Sequence, residues 1–356
     1  MSWRDLDEGD VRVRPSRKGS RPRTKERPAH ADAVVAMVIG VDRGRYTCLI
    51  PKGALGKKEP ERVVTAMKAR DIGRTRVVVG DDVALVGDLA GGPDALARIV
   101  RIEERRSVLR RTADDTDPYE RIIVANADQL VIVTALADPE PRPRMVDRCL
   151  VAAYDADLEP LLALTKADLV DPSEFLANYT PLEVEHVVTS WRDGEFSGLD
   201  ELRARLSGKV SVLVGHSGVG KSTLVNGLVP GALRATGVVN DTTGRGRHTS
   251  TNAVALRLHR PDGSDDGWVI DTPGIRSFGL AHIDVDHIID HFPDLAAGTQ
   301  DCPRGCTHDE EECALDAWVA EGHAGPAGRS RLESLRRLLR ARSGSESGEP
   351  DTTARA

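Results

Sequence analysis

Hydrophobic patterning predicts a β-rich segment between residues 33 and 112. Short apolar runs in this segment are separated by turn residues such as Gly80, which is the pattern of successive strands. The predicted strands cover residues 34–39, 46–50, 76–79, 82–86 and 97–102. Five short strands over 33–112 fit a small barrel of the oligonucleotide-binding (OB) type.

Residues 113–290 show a different pattern, in which apolar strands alternate with helices. Strands are expected at residues 129–136, 159–164, 184–189, 209–214 and 268–270, and helices at residues 146–156, 199–206 and 221–228. Such alternation predicts an α/β domain built on a parallel sheet that is covered on both faces.

The two ends of the chain are expected to be disordered. Residues 11–30 hold eight Lys/Arg and one Glu among Pro, Gly and Ser, so residues 1–32 are predicted to be a disordered basic arm. Such an arm either contacts phosphate without reading sequence or only keeps the protein soluble. The Gly/Ser/Glu-rich residues 343–356 are predicted to be a disordered tail. The segment before this tail, residues 291–342, combines a Cys/His cluster with a predicted helix.

The net charge of −7 hides an asymmetry along the chain. Residues 1–112 carry 25 Lys+Arg and 16 Asp+Glu, a net of +9, whereas residues 113–356 carry 24 and 40, a net of −16. The asymmetry favours a polyanionic partner for the first part, although chance patterning of solvated faces is the alternative. Tyr46 is the single aromatic residue of 33–112, so phosphate and shape are expected to matter more than base stacking.

Composition also bears on the compartment. No stretch approaches the ~20 consecutive apolar residues of a membrane span, and the N-terminal residues are polar rather than a signal peptide. Three of the five cysteines fall within residues 302–313, which does not make a disulfide framework. We therefore expect a cytoplasmic protein.

A complete P-loop motif follows the strand at 209–214 and opens the helix at 221–228. It consists of Gly215, His216, Ser217, Gly218, Val219, Gly220, Lys221 and Ser222, with Thr223 continuing the helix. The glycines let backbone N–H groups converge on phosphates at a helix N-terminus. Lys221 supplies a positive charge, and the Ser222 hydroxyl is expected to ligate Mg²⁺.

Two further motifs end predicted strands of the same sheet. Asp271 ends the strand at 268–270, where it is placed to hold Mg²⁺, and the Gly274 N–H is placed to meet a γ-phosphate. The carboxylate of Asp168 is placed to accept the guanine N1–H and N2–H₂ donors, which adenine lacks. Asp168 stands in a guanine-motif segment with Thr165 and Lys166, and Ser190 is expected to lie near the guanine O6.

The order of these motifs is unusual, because the guanine motif precedes the P-loop and Asp271 and Gly274 come last. With residues 244–251 between the P-loop and Asp271, this order resembles the circularly permuted, ribosome small subunit-dependent GTPases of the RsgA (YjeQ) family. The resemblance covers roughly residues 33–340: an OB-type barrel, a permuted P-loop GTPase domain, and a zinc-binding α-helical module.

The resemblance implies the cofactors, the partner and further site residues. These are GTP or GDP, Mg²⁺ and one Zn²⁺, with the small ribosomal subunit and its rRNA as partner; no DNA or membrane partner is expected, and the chain is expected to be monomeric. Thr249 would be a second Mg²⁺ ligand, with Ser250 and Thr251 as competitors, and His248 would position the water.

Two positions depart from the family pattern. Thr165 stands where the guanine motif usually has Asn, which removes an amide contact but keeps Asp168. Ile275 stands where many GTPases have a water-orienting Gln, so intrinsic turnover should be slow and should depend on the partner. The family resemblance implies that GTP hydrolysis releases the protein from the subunit late in its maturation.

Cys302, Cys306, His308 and Cys313 supply three thiolates and one imidazole within twelve residues, which suits a tetrahedral structural zinc site. Free thiols are the alternative, and both outer gaps are about one residue shorter than the family pattern. The arginines at 329, 331, 336, 337, 340 and 342 around the following leucines either contact rRNA or form a solvated helix face.

Two other classes of function compete with the GTPase interpretation. The first is an RNA-binding module whose nucleotide site is structural and does not hydrolyse GTP. The second is a P-loop ATPase or kinase, which Asp168 argues against because its carboxylate would select guanine.

Overall fold

The structure is a computed structural model that describes residues 30, 32–92, 94–112, 120–232, 253–272, 280, 283 and 288–343. Contacts group the residues from Ala33 onward into one unit. The predicted basic arm, apart from His30 and Asp32, and the predicted tail from residue 344 lie outside the described residues.

The first part of the chain forms a closed five-stranded barrel, which confirms the OB-type prediction. Its strands are β1 (Val34–Asp42), β2 (Arg45–Ile50), β3 (Arg62–Lys68), β4 (Asp82–Gly87) and β5 (Ala97–Ile102). They follow the order β1-β2-β3-β5-β4, and β4 pairs back onto β1 to close the barrel. The inward side chains of alternating positions, such as Val38, Val64 and Ile99, fill the interior.

One predicted strand of the barrel was wrong. Residues 76–79 do not form a strand; the additional strand is β3, Arg62–Lys68, which was not predicted. The valines at 77–79 are buried, but their backbone is tied down locally: the Val78 N–H donates to the Asp81 side chain at 2.8 Å. Apolar content at 76–79 therefore indicates burial, and β-pairing there is limited to one isolated bridge between Val79 and Val124.

The central part of the chain is an α/β sheet, as predicted. A hairpin of β6 (Val108–Arg111) and β7 (Arg121–Ala125) precedes it. The later strands are β8 (Gln129–Ala135), β9 (Glu159–Thr165), β10 (Glu185–Val188), β11 (Ser190–Arg192), β12 (Glu195–Ser197), β13 (Lys209–Val214), β14 (Val254–His259) and β15 (Asp265–Asp271). The strands β10-β9-β8-β13-β15 are parallel neighbours, and β14 pairs antiparallel with β15 at the end of this order.

Helices cover both faces of this sheet. They are α1 (Pro143–Asp155), α2 (Ser173–Ala177), α3 (Leu199–Leu206) and α4 (Lys221–Leu228). Alternate residues of the strands point to opposite faces, so Ile132 packs in the core with α1, whereas Val133 packs in the core with α3 and α4. Among the residues described, no helix combines the length and the apolar character needed to cross a membrane.

The barrel is joined to the central sheet by strand pairing. Gly40 of β1 pairs with Val254 of β14, so that the two parts share one eleven-stranded sheet. The Arg257 guanidinium on β14 also donates to Glu61, next to β3, at 2.7 Å. Strand β14 was not predicted from the sequence, so the junction between the barrel and the central sheet was not predicted either.

The C-terminal module contains α5 (Pro293–Ala296), α6 (Ala314–Ala320) and α7 (Gly328–Ser343). Helix α7 confirms the helix predicted within residues 291–342, and its Leu332, Leu335, Leu338 and Leu339 are all buried. These leucines belong to the same hydrophobic core as Leu150 of α1. The domain boundaries at 112/113 and 290/291 stay predictions, since one core continues across both.

Candidate functional site

The P-loop lies at the carboxyl end of a buried strand. Strand β13 ends at Val214 and α4 begins at Lys221, with the loop between them. Gly218 and Gly220 have φ angles of +87° and +86°, in the left-handed region that side chains disfavour, which explains why glycine occupies both positions. The loop thus brings backbone N–H groups to the start of α4, as phosphate binding requires.

Lys221 and Asp271 meet at this end of the sheet. The Lys221 ammonium donates to Asp271 and also to the Thr272 carbonyl at 3.3 Å. Strand pairing places Asp271 beside Leu213, and the Thr272 hydroxyl donates to the Leu213 carbonyl at 2.6 Å. Residues 50 positions apart in the chain therefore form one charged site, although their binding roles stay predictions.

The oxygens required by magnesium are available at the same end of the sheet. Ser222 and Thr223 are exposed in the first turn of α4, and Asp271 supplies a partly exposed carboxylate. Hydroxyl and carboxylate oxygens are ligands that Mg²⁺ accepts, so the donor set fits the ion. The other predicted ligand, Thr249, lies outside the described residues together with His248, Gly274 and Ile275.

The guanine motif lies on the neighbouring strands. Asp168 is exposed in the turn after β9, and the Ala167 N–H donates to the Thr189 carbonyl at 3.2 Å. This bond brings the turn after β9 to the end of β10, where Ser190 follows. Asp168 and Ser190 therefore lie at the same sheet edge as the P-loop, as a guanine site requires.

The loop that follows β8 was not singled out from the sequence. The Lys166 ammonium donates to the Asp138 carbonyl in that loop, and Lys166 itself has a left-handed φ of 59°. Pro139 packs against Gly218 of the P-loop. The position of this loop after a parallel strand was the signal available in the sequence, because such loops line sites in α/β sheets.

His216 is held within the P-loop rather than presented to solvent. Its side chain is buried, and Nδ1 lies 2.8 Å from the Ser217 carbonyl, so that nitrogen carries the proton. Burial lowers the pKa of His216; the hydrogen bond with the Ser217 carbonyl offsets part of this shift, and the nearby charges of Arg142 and Lys166 lower the pKa further. His216 is therefore neutral at pH 7.

The four predicted zinc ligands come together in the structure. The ligand atoms of Cys302, Cys306, His308 and Cys313 all lie within 4.8 Å of one another. The Cys302 and Cys313 sulfurs are 3.9 Å apart, and His308 Nδ1 lies 3.6 and 3.8 Å from them. A tetrahedron with Zn–S bonds of about 2.3 Å has S···S edges of about 3.8 Å, so the geometry fits one Zn²⁺.

Local backbone features shape this cluster. His308 has a left-handed φ of 64°, and its N–H donates to the Cys306 sulfur at 3.3 Å. Arg336 on α7 donates to the His308 carbonyl at 2.8 Å, which fastens the ligand loop to the helix. Such second contacts orient the ligands of a metal site.

The arginines of α7 mostly bind acidic residues of the protein itself. Four ion pairs, with N···O distances of 2.6–3.1 Å, join Arg331 to Asp294, Arg336 to Asp316, Arg337 to Asp147, and Arg340 to Asp309. Hydrogen bonds from their arginine partners lower the pKa of Asp309 and Asp316. The sequence left rRNA contact and a solvated face as alternatives. In the structure, Arg331, Arg336 and Arg340 form ion pairs within the C-terminal module, and Arg337 forms one with α1 of the central domain.

The remaining cysteines, Cys48 and Cys149, are buried in the hydrophobic core. Burial raises the pKa of each thiol to about 12. Both thiols are therefore protonated at pH 7.

Comparison with known proteins gives consistent matches. The RsgA GTPase family model matches residues 102–281. The chain is 40% identical over 273 residues to the small ribosomal subunit biogenesis GTPase RsgA of Azotobacter vinelandii, covering 74% of each protein. It is 36% identical over 293 residues to the protein of that name from Chlorobaculum tepidum, covering 80% of this chain and 91% of the relative.

Solved structures show the same architecture. YjeQ from Thermotoga maritima aligns with a TM-score of 0.59 and 26% identity, covering 87% of this chain and 99% of that protein. YloQ, described as a circularly permuted GTPase, shares the fold with a TM-score of 0.59 at 22% identity, covering 91% of this chain and all of YloQ. The permuted motifs gathered at one sheet edge, the Cys₃His cluster and these matches together show that the chain belongs to the RsgA GTPase family.

Proposed function

We propose that this protein hydrolyses GTP as a switch in late maturation of the small ribosomal subunit. The observation that carries the proposal is the convergence of Lys221, Asp271 and Asp168 at one sheet edge despite their permuted order in the chain. Relatives at 40% identity are described as small ribosomal subunit biogenesis GTPases, which supports the same assignment.

The residues divide the work of binding GTP. Backbone N–H groups of residues 215–222 bind the phosphates, Lys221 offsets their charge, and Asp168 accepts hydrogen bonds from guanine. Ser222 and Asp271, with Thr249, would hold Mg²⁺, which offsets negative charge on the phosphates. His248 would orient the attacking water, and Ser190 would face the guanine O6.

The barrel and the basic arm would bind rRNA, with the chain acting as a cytoplasmic monomer. Residues 33–112 carry 16 Lys+Arg and 10 Asp+Glu, and this positive balance favours phosphate contacts. The pairing of β1 with β14 connects the barrel to the antiparallel pair of β14 and β15, and β15 ends at Asp271. Hydrolysis of GTP at Asp271 would therefore be transmitted through this junction to the barrel and would change how the barrel binds rRNA.

The Cys₃His cluster would hold one structural Zn²⁺ through four protein ligands. Four ligands leave no open position for substrate, so the ion would stabilise the loop between α5 and α6 rather than take part in GTP hydrolysis. The module it stabilises packs on α1 of the central domain through α7.

Sedimentation with purified small ribosomal subunits tests the switch. The protein should sediment with subunits in a non-hydrolysable GTP analogue and should be released in GDP. Equal binding in the two nucleotides would favour the alternative, an RNA-binding module whose nucleotide site is structural. The Lys221→Ala variant is the matched control, because loss of nucleotide binding should remove the difference between the two conditions.

A further inference from the structure

An aromatic side chain of the β11–β12 hairpin packs into a notch on α4. Phe196 lies in β12, and a Cβ atom placed on Gly227 of α4 would lie 2.6 and 3.1 Å from the Cε2 and Cδ2 atoms of its ring. The ring therefore occupies the space that a side chain at position 227 would take. Gly227 does not have a left-handed φ, so the close approach of Phe196, rather than the backbone conformation, requires glycine at this helical position.

The packing of Phe196 continues into the core and out to the surface. Phe196 and Leu199 both pack against the hydrophobic cluster that contains Leu224 of α4. The Trp191 ring lies against Phe196, with the ring centres 4.4 Å apart and the ring planes at 60°. Trp191 itself is 49% exposed. Phe196 therefore links the exposed hairpin to the core beside α4.

The position of Phe196 bears directly on that of Ser190. In the register of the hairpin, Ser190 pairs with Ser197, and Trp191 pairs with Phe196. Ser190 is therefore one residue pair away from the ring that is seated on α4. The backbone before it is fixed as well, because the Thr189 N–H donates to the Leu164 carbonyl at 2.7 Å. Ser190 is thus fastened to β9 on one side and, through the hairpin, to α4 on the other.

Helix α4 also carries the phosphate-binding residues. It begins at Lys221 of the P-loop, and Gly227 lies near its other end. Arg203 on α3 supports this end, since its guanidinium donates to the Gly227 and Leu228 carbonyls at 3.4 and 3.1 Å. The hairpin that contains Ser190 and the loop that would bind phosphate therefore share one helix as their support.

We propose that Phe196 is a positioning residue whose ring, seated at Gly227, holds the Ser190 backbone in place to meet the guanine O6. The inference rests on the proposed function, because it concerns the base side of the site that would bind GTP. Guanine O6 accepts a hydrogen bond from a backbone N–H, whereas adenine carries an amino group at the same position and cannot accept one. The seat of Phe196 therefore raises the affinity for guanine nucleotides without any contact between Phe196 and the nucleotide.

Nucleotide binding by Phe196→Ala, which empties the notch on α4, tests the proposal. The Kd values for fluorescent GTP and GDP analogues should both rise about threefold to tenfold, the range expected for the loss of one neutral hydrogen bond. The preference for GTP over ATP in competition should fall by a similar factor, because ATP cannot make this bond. General damage to the domain would weaken both nucleotides alike, so the change in preference is specific to the base contact.

A second variant fills the notch instead of emptying it. Gly227→Ala places a methyl group where the Phe196 ring lies and should raise the Kd for GDP in the same range. Its urea midpoint should stay close to that of the wild type, because the better helix propensity of alanine offsets the displacement of the ring. Glu195→Ala is the matched control: it changes an exposed neighbour of Phe196 in β12 and should bind GDP within about twofold of the wild type. If Phe196→Ala does not fold, Phe196→Leu also removes the ring and carries the same expectation.

The outcomes separate this inference from the proposed function. GDP binding by Phe196→Ala or Gly227→Ala as tight as that of the wild type would overturn the inference. An equal loss of affinity for GTP and ATP would overturn it as well, because the ring would then support the domain in general rather than the base contact. Failure of the wild-type protein to bind any guanine nucleotide would instead overturn the proposed function.

Discussion

The ion pair between Asp147 on α1 and Arg337 on α7 shows how the C-terminal module is held on the central domain. Asp147 is only 4% exposed at its side chain, and its Oδ2 lies 3.1 Å from Arg337 Nε. The Arg337 guanidinium also donates to the Asn178 carbonyl at 3.0 Å and lies 5.2 Å from the Tyr179 ring centre. Removing the arginine charge would take this counter-charge away from a buried carboxylate.

We predict that Arg337→Met lowers the free energy of unfolding by about 2–3 kcal/mol at pH 7. Methionine keeps an apolar stem against Tyr179, so the change removes mainly the charge and its hydrogen bonds. Breaking one side of a fully buried pair costs about 3–5 kcal/mol. The lower figure is expected here because Arg337 is 26% exposed, so that water partly screens the pair.

Urea unfolding followed by tryptophan fluorescence measures this loss, since Trp318 lies in α6 of the module. Arg329→Met changes an exposed arginine of the same helix and should stay within about 0.5 kcal/mol of the wild type. In a double-mutant cycle with Asp147→Asn, the double variant should lose at least about 1 kcal/mol less than the sum of the single losses. An Arg337→Met protein as stable as the Arg329→Met control would show that the Asp147–Arg337 pair does not stabilise the protein.

Three further predictions concern the nucleotide and metal sites. Asp168→Ala should lose the preference for GTP over ATP in competition binding, and a retained preference would exclude Asp168 from base selection. His248→Ala should lower the turnover number more than the affinity for GTP; unchanged turnover would remove His248 from the mechanism. Metal analysis of natively purified protein should find one zinc per chain, and Cys313→Ser should lose it and unfold at lower urea. Natively purified protein that contains no bound zinc would contradict the Cys₃His assignment.

The sequence predicted the barrel and the central sheet because their periodicities are strong and local. Residues 209–214 and 221–228 have the predicted bounds, since an apolar strand, a glycine loop and a helix follow one another directly. Strand β3 was missed because Arg62–Lys68 contains polar and exposed positions, while the buried valines at 77–79 were taken for a strand.

Local sequence patterns did not predict contacts between residues that lie far apart in the chain. The arginines of α7 find acids such as Asp147, which lies 190 positions away, and only the packing of α7 on α1 brings the two together. The Thr165 hydroxyl similarly donates to the Val219 carbonyl, because the motif spacing indicated a nucleotide ligand but not which way the hydroxyl points. Spacing predicted the Cys₃His cluster because its ligands lie close together in the chain.

GTP turnover titrated with purified small ribosomal subunits, at two salt concentrations, shows directly whether the subunit stimulates GTP hydrolysis by this protein. We expect slow GTP turnover by the protein alone and a saturable rise with added subunits, with tighter apparent binding at the lower salt because phosphate contacts contribute. Turnover that is unchanged by saturating subunits at both salt concentrations would contradict this expectation.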